Sequence, residues 1–219
     1  MVDAHAMDHI RGLRFGPLGS SAMHLCVDMQ AMFADDTPWA SGAVRSILPA
    51  VREICTYKAA STIFTRFLCP RDGRALCGQW RHFYSDCPQM LAADPRLFDI
   101  VPELVPFVPP GRLADRYVFS VFEIAGLRPL LEARGVDTLV FSGVETDVCV
   151  LASVLRAIDI GYRVVVVEDA VASSNARGHD AALRGIFPRF DQQIETVRVA
   201  ELMGQWGHAR PELPISPLQ

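Results

Sequence analysis

Short hydrophobic runs alternate with longer amphipathic segments along most of this 219-residue chain. Residues 21–30 and 60–68 each predict a buried strand, and the first of these strands ends at Asp28. The segment between them, residues 41–59, has helical spacing and carries one apolar face made of Val44, Ile47, Leu48, Val51 and Ile54. The beginning of the chain therefore predicts a strand, a helix and a second strand.

The same alternation returns in the second half of the chain. Residues 162–171 are so uniformly apolar that both faces of their strand must be covered, as in a parallel sheet. The predicted elements, in chain order, are an extended segment at 117–122, a helix within 124–135, a strand at 138–144, a helix that ends at Gly161, the strand at 162–171, a helix near 178–187 and a last strand near 193–200.

Strands that alternate with helices are joined by right-handed crossovers and build layered α/β folds. We therefore expect a three-layer α/β/α sandwich with a mostly parallel, Rossmann-like sheet of about six strands. One domain is predicted for residues 21–205, with an N-terminal arm at 1–20 and a C-terminal tail at 206–219. The irregular, Pro-, Gly- and Cys-rich stretch at 69–110 is typical of a lid or a subunit contact.

Composition narrows the class of protein. Half of the residues are hydrophobic and the formal net charge is −4, which suits a soluble globular protein and gives no electrostatic footprint for nucleic acid. The chain has no apolar run near the ~18 residues that a membrane span needs, and its start lacks the apolar core of a secretory signal. A cytoplasmic protein that acts on a small molecule is expected, without nucleic-acid or membrane partners.

The cysteines and histidines predict no metal site. Six cysteines occur, but Cys69, Cys77 and Cys87 form no C-x-x-C pair, and a chain of this length needs no disulfides. His24 lies within a predicted strand and reads as a core residue, a hydrogen-bonded loop residue is favoured over a metal ligand for His82, and His179 lies in a late helix. We therefore expect neither a metal nor another cofactor, and most of the thiols to be small buried hydrophobes.

Three candidate reactive groups lie near strand ends, where open α/β sheets bind ligands. Asp28 follows the first strand, Arg116 leads into the third, and Cys149 lies on the first turn of the helix after the fourth. With Thr146 or Asp147 as N-cap, the helix dipole would favour a Cys149 thiolate. The alternatives are a buried structural cysteine and an aspartate that merely caps a loop.

Three segments carry a resemblance to a known family. Residues 142–150 (SGVETDVCV), with the R-x-x-x-x-G-Y-R-V-V-V-V-x-D-A spacing after them, resemble the cysteine hydrolases related to isochorismatase. These include nicotinamidase, N-carbamoylsarcosine amidohydrolase, biuret hydrolase and ureidoacrylate amidohydrolase. Residues 28–33 (DMQAMF) match the segment that carries the family's acidic residue, and residues 116–122 (RYVFSVF) match its lysine segment in part.

The resemblance implies an amidohydrolase that cleaves a small amide, carbamoyl or ureido compound through a thioester. Asp28 would be the base, Cys149 the nucleophile, and the N–H groups of Glu145 and Cys149 the oxyanion hole. A cis peptide bond would join Val144 to Glu145. The nucleophilic cysteine argues against the vinyl-ether hydrolysis of isochorismatase itself. Family members are usually oligomers, so a homodimer or homotetramer is expected.

The chain departs from the family pattern at one position, because Arg116 stands in the lysine slot and stays charged at any working pH. It could pair with Asp28 in bidentate fashion. The alternatives are therefore an active hydrolase with altered proton transfer, a catalytically silent ligand-binding protein on the same fold, and a redox sensor in which Cys26 resolves an oxidised Cys149.

Residues that could line the substrate pocket carry weaker signals, and packing or surface contacts are an equal or preferred alternative for each of them. Arg66, Arg81 and Tyr84 could bind a carboxylate. The pocket candidates are Gln30, Phe33, Trp39, Phe122 and Thr146.

Overall fold

The computed structural model describes residues 12–34, 36–40, 42–70 and 78–207 of the chain. Within them, six parallel strands form one sheet in the order β3-β2-β1-β4-β5-β6. The strands are β1 (Ala22–Val27), β2 (Thr62–Phe67), β3 (Arg112–Arg116), β4 (Thr138–Val144), β5 (Arg163–Ala172) and β6 (Ile194–Val197). The predicted parallel sheet is confirmed.

Helices follow the strands on both faces of the sheet. They are α1 (Ala31–Ala34), α2 (Ala43–Lys58), α3 (Gln79–Ser85), α4 (Pro88–Leu91), α5 (Leu127–Ala133), α6 (Leu151–Ile160), α7 (Ala176–Asp180) and α8 (Val199–Gln205). Wide π-type turns precede α6 at Thr146–Val150 and follow α7 at Ala181–Ile186, and short 3-10 helices occur at Ala59–Ser61, Pro95–Phe98, Pro102–Phe107, Val121–Glu123 and Phe187–Phe190.

Alternate strand residues divide the core into two layers. Cys26, Phe64 and Val140 pack with α2 and α8 on one side of the sheet. Leu25 and Phe141, next to them in sequence, pack with α5 and α6 on the other side. Because successive side chains of a strand point to opposite faces, the continuous apolar runs are explained by helices that cover both faces. The fold is the predicted three-layer α/β/α sandwich.

The third strand differs from the prediction. It spans Arg112–Arg116 and pairs with β2 from Ile63 to Phe67, so Arg116 ends the strand instead of leading into it. The segment predicted as extended, 117–122, instead turns at Val121–Glu123, where the Ser120 hydroxyl accepts a hydrogen bond from Phe122 N. β3 lies at the edge of the sheet and several of its side chains face solvent, so its sequence, R-L-A-D-R, is less apolar than the segment after it. The more apolar segment was therefore predicted as the strand.

The two ends of the described chain pack together. Leu18 forms a parallel bridge with Trp206, and Lys58 at the end of α2 donates a hydrogen bond to the Trp206 carbonyl. Residues 1–11 and 208–219, most of the predicted arm and tail, lie outside the described residues. Among the described residues, no helix combines the length and apolar character that crossing a membrane requires.

Candidate active site

The strand order reverses between β1 and β4, and the candidate residues meet at this switch point. β3 and β2 lie on one side of β1, whereas β5 and β6 lie beyond β4. Asp28 follows β1, and Cys149 lies in the turn that follows β4. Gly143 lets β1 and β4 approach closely, since a Cβ atom at this position would lie 1.9 Å from the Val27 carbonyl oxygen. The φ angle of Gly143 is +106°, which side chains other than that of glycine rarely allow. Ligands of open α/β sheets bind at such a crevice.

Asp28 and Arg116 form a bidentate ion pair that is shut off from solvent. The Arg116 Nη1 and Nη2 atoms donate to Asp28 Oδ1 and Oδ2 at 2.5 and 2.6 Å, and the two side chains are 0% and 1% exposed. Thr65 Oγ1 also donates to Asp28 Oδ1, and Arg116 Nε donates to the Phe119 carbonyl. Burial lowers the pKa of Arg116, but the charge and hydrogen bonds of Asp28 outweigh it and raise that pKa overall. The guanidinium is therefore permanently charged.

Asp28 also has an unusual backbone conformation. Its φ is +51°, in the left-handed region that few residues other than glycine adopt. Aspartate and asparagine tolerate this region better than most residues. The turn aims the carboxylate across the end of the sheet, toward the strand end of β3 and the turn after β4.

The Cys149 thiol lies beside this ion pair, near enough to Asp28 and Arg116 for the charge of each to shift its pKa. Burial raises the pKa of Cys149, and the Asp28 charge raises it further against the opposing charge of Arg116. Both effects act against the thiolate that the sequence predicts at rest and favour the neutral thiol. The helix dipole was outweighed because the sulfur is desolvated and faces a carboxylate.

The turn that carries Cys149 begins at Glu145, and neither Thr146 nor Asp147 caps it with a side chain. The Glu145 carbonyl accepts hydrogen bonds from Val148 N and Val150 N, both at 3.1 Å. The predicted N-cap was therefore one or two residues too late, because the wide turn starts directly after β4. The Val144–Glu145 peptide bond is cis, as the resemblance implied.

Gln30 and Thr146, two of the five pocket candidates, have polar groups that bond within the protein. The buried Gln30 amide donates to the carbonyls of Phe67 and Phe98 and accepts from Phe67 N. The Thr146 hydroxyl is fully buried and bonds His179 Nδ1 at 2.9 Å. These contacts favour structural roles for both residues.

The three aromatic candidates pack in hydrophobic clusters. Phe122 stacks on Tyr162 with 6.0 Å between ring centroids and lies in the α5 and α6 layer. Phe33 and Trp39 are half-buried and pack against the cluster around Phe67. The packing alternative is therefore favoured for Phe122, whereas Phe33 and Trp39 remain candidates at the edge of the site.

An aromatic cluster beside Arg116 was missed by the sequence reasoning. The Arg116 guanidinium lies 5.7 Å from the centroid of the Phe67 ring, which stacks on Phe119 with centroids 6.3 Å apart. Trp80 and Phe83 of α3 belong to the same cluster, which we call the aromatic wall, and the ring centroids of Trp80 and Phe119 lie 4.7 Å apart. The signal lay in the irregular stretch 69–110, whose aromatic residues have no periodicity to place them.

Two of the residues considered for carboxylate binding have partners in the fold. Arg66 pairs with Asp115 and Asp99. The Tyr84 hydroxyl lies within hydrogen-bonding distance of the carbonyls of Leu68 and Tyr117, and burial raises the pKa of Tyr84. Arg81 is exposed on α3. These contacts favour the surface and packing alternatives for Arg66 and Tyr84.

Other polar core residues lie away from Cys149. His24 is buried between the hydroxyls of Thr62 and Ser142, as expected of a core residue. Cys26 packs with Cys55 of α2 in the layer opposite Cys149. The alternative in which Cys26 resolves an oxidised Cys149 loses support, because the two side chains lie on opposite faces of the sheet. In the described part of the chain, no three His, Cys, Asp or Glu side chains cluster as metal ligands.

Comparison with known proteins decides the family. A family model described as the isochorismatase domain matches residues 22–197, most of the chain. The chain belongs to the isochorismatase family. The match spans the three segments that carry Asp28, Arg116 and Cys149.

Individual relatives of this isochorismatase-family protein include amidohydrolases. It is 38% identical to maleamate amidohydrolase of Pseudomonas putida over 82 residues, which cover 37% of this chain and only 38% of that protein. It is 26% identical to nicotinamidase 3 of Arabidopsis thaliana over 174 residues, which cover 78% of this chain and 82% of that one. By their names, both relatives hydrolyse non-peptide C–N bonds.

A solved structure supports the fold. A cysteine hydrolase from Pseudomonas syringae pv. phaseolicola superposes with a TM-score of 0.69, covering 84% of this chain and 92% of that one. Its sequence identity of 22% makes this a likeness of fold alone.

Proposed function

We propose that this protein is a cysteine-dependent hydrolase of a small amide, carbamoyl or ureido compound. The observation that carries the proposal is the position of Cys149, in the turn after β4, beside the buried Asp28–Arg116 pair at the switch point. A nucleophile and a base within hydrogen-bond reach, with a third group that orients the base, are the arrangement that nucleophilic catalysis needs. The family and the named amidohydrolases among its relatives support the same reaction class.

The first half of the proposed reaction forms a thioester. Asp28 takes the proton of the Cys149 thiol as the sulfur attacks the carbonyl carbon of the substrate. The carbonyl oxygen becomes an oxyanion that accepts hydrogen bonds from the backbone N–H groups of Glu145 and Cys149. The C–N bond breaks, and the leaving nitrogen takes the proton from Asp28 and departs as ammonia or an amine.

The second half regenerates the thiol. Asp28 takes a proton from a water molecule that attacks the thioester carbonyl, and the same N–H groups hold the second oxyanion. The C–S bond breaks, the sulfur takes the proton back from Asp28, and the acid leaves. Because burial and the Asp28 charge favour the neutral thiol, the base acts at the moment of attack in this scheme.

Arg116 has an electrostatic role in this scheme. It keeps its proton throughout, because a guanidinium is charged at any working pH and its ion pair strengthens that preference. It holds the Asp28 carboxylate in one orientation through two hydrogen bonds and offsets the charge that develops on sulfur. Proton transfer is left to Asp28 alone.

The test is ammonia release from a panel of amides, carbamoyl compounds and ureides. We expect turnover by the wild type, none by Cys149→Ala, and a loss of about 10²- to 10⁴-fold in Asp28→Asn, the usual contribution of a general base. Cys87→Ala is the matched control, since Cys87 is a half-buried free cysteine in the α3–α4 region. Equal turnover by wild type and Cys149→Ala would exclude the mechanism.

A silent ligand-binding protein is the second candidate function, and the full pairing of Arg116 with Asp28 favours it. Both carboxylate oxygens accept hydrogen bonds from the guanidinium, so neither can take a proton from the thiol without loosening one of these bonds. Ligands that raise the melting temperature without any turnover across the panel would support this alternative. Turnover switched on by Arg116→Lys would support it further.

A further inference from the structure

The turn that leads to Cys149 is held by a second segment, which the proposed mechanism does not use. We call Glu145–Asp147 the catalytic turn and Ser173–His179 the latch. The latch follows β5, which pairs with β4, so the two segments leave the same edge of the sheet side by side. Every side chain of the catalytic turn makes a hydrogen bond to the latch.

Two serines of the latch bind the acidic residues of the catalytic turn. The Glu145 carboxylate accepts hydrogen bonds from Ser174 N at 3.1 Å and from the Ser174 hydroxyl at 2.7 Å. The Ser173 hydroxyl lies 2.9 Å from Glu145 Oε2 and 2.6 Å from Asp147 Oδ1, so it can donate to either carboxylate. Bonds to ionised acceptors are stronger than neutral ones, so these contacts fix both ends of the turn.

The middle of the catalytic turn is bound by a histidine. Thr146 is fully buried, and its hydroxyl bonds His179 Nδ1 at 2.9 Å. The latch is itself ordered, because the Asn175 side chain accepts a hydrogen bond from Gly178 N and Asn175 N donates one to the Ser173 hydroxyl. His179 therefore reaches Thr146 from a fixed support.

Gly178 brings the latch backbone into direct contact with the catalytic turn. A Cβ atom at this position would lie 1.7 Å from Asp147 Oδ2 and 2.5 Å from its Cγ. Even an alanine would have to displace the Asp147 side chain or the latch. Gly185, a few residues further along, has open space around the same added atom, which makes it a matched control.

We propose that Gly178 and His179 are positioning residues for the hydrolysis. Through Asp147 and Thr146 they hold the turn in place, and with it the backbone N–H groups of Glu145 and Cys149 that the proposed mechanism uses as the oxyanion hole. The inference rests on the proposed hydrolase function. It follows physically because misplacing an oxyanion donor by about 1 Å can lower a rate about 10²-fold.

The experiment compares Gly178→Ala with Gly185→Ala, and His179→Asn with His179→Gln. Asparagine keeps a hydrogen-bonding atom near the place of Nδ1, whereas the longer glutamine does not. We measure kcat and KM for ammonia release, the melting temperature, and the affinity for acetaldehyde and benzaldehyde. These aldehydes add to the Cys149 sulfur, and their affinity is read as protection of Cys149 from iodoacetamide.

We expect Gly178→Ala and His179→Gln to lower kcat about 10- to 100-fold with KM nearly unchanged, and to lower the aldehyde affinity in proportion. His179→Asn should retain most of kcat, and Gly185→Ala should match the wild type. Full kcat in Gly178→Ala or in His179→Gln removes that residue from the proposal. An equal loss in Gly185→Ala overturns the role of Gly178.

The failure of each proposal has its own signature. If Gly178→Ala does not fold, as judged by circular dichroism, the two His179 variants decide. If the wild type hydrolyses no compound of the panel, the hydrolase function fails, and the aldehyde affinities alone decide whether the latch positions the turn.

Discussion

Replacing Arg116 with methionine removes one partner of the most deeply buried ion pair described in this fold. Methionine keeps an unbranched side chain of similar reach, so the change mainly deletes the guanidinium. The Asp28 side chain, which is 1% exposed, then loses two charged donors, and the Phe119 carbonyl loses the Nε–H that it accepts from.

The expected loss of stability follows from that geometry. Breaking a buried ion pair by removing one partner costs about 3–5 kcal/mol, because a charge is left buried and uncompensated. For a chain of this size each kcal/mol lowers the melting temperature by about 2–4 °C, so we expect a shift of about 6–20 °C. The double variant Asp28→Leu, Arg116→Met should regain much of the loss, since it leaves no buried charge.

The assay is urea unfolding followed by tryptophan fluorescence and circular dichroism. Arg66→Met is the matched control, because the partners of Arg66, Asp99 and Asp115, are 59% and 38% exposed. Such a pair contributes about 0–1 kcal/mol. The reasoning is refuted if Arg116→Met loses no more than Arg66→Met, or if the double variant is as unstable as the single one.

Two further predictions concern the thiol and the glutamine. Burial raises the pKa of Cys149 above its ordinary value of 9.0, so its alkylation by iodoacetamide should keep accelerating from about pH 7 to about pH 10. Mass spectrometry of the Cys149 peptide measures this, and a plateau below about pH 8 would contradict a neutral thiol. Gln30→Leu should lower stability by about 3 kcal/mol or more, because three buried backbone groups at Phe67 and Phe98 lose their partner. Urea unfolding measures this loss; a raised KM at unchanged stability would instead assign Gln30 to the substrate.

Much of the fold could be predicted because its signals are local. The uniformly apolar run that became β5 required covered faces on both sides, and the alternation of strands with helices required parallel crossovers. The position of the third strand was predicted wrongly, because β3 lies at the edge of the sheet with several side chains exposed, and the more apolar segment after it forms a turn. Hydrophobic patterns predict strands whose faces are buried, and an edge strand buries fewer of its side chains than a central strand.

The candidate site, too, could be predicted only where its signals are local. Asp28, Arg116 and Cys149 could be named because each lies in a short motif, and the bidentate pairing of Arg116 with Asp28 was anticipated from the shape of a guanidinium. The protonation state that the fold favours for the Cys149 thiol could not be anticipated, because its pKa depends on how much water and which charges surround the sulfur. The aromatic wall from Trp80 to Phe119 and the latch were missed because their residues meet only through the sheet order.

The sequence by itself determined the order of the elements, the two covered faces of the sheet and the three candidate site residues, because these depend on hydrophobic periodicity and on short contiguous motifs. Only the tertiary structure decided which groups share the switch point. It buried the Cys149 sulfur beside the ion pair, bonded the Gln30 side chain to backbone groups of Phe67 and Phe98, and placed His179 on Thr146, because each of these contacts links residues that are distant along the chain.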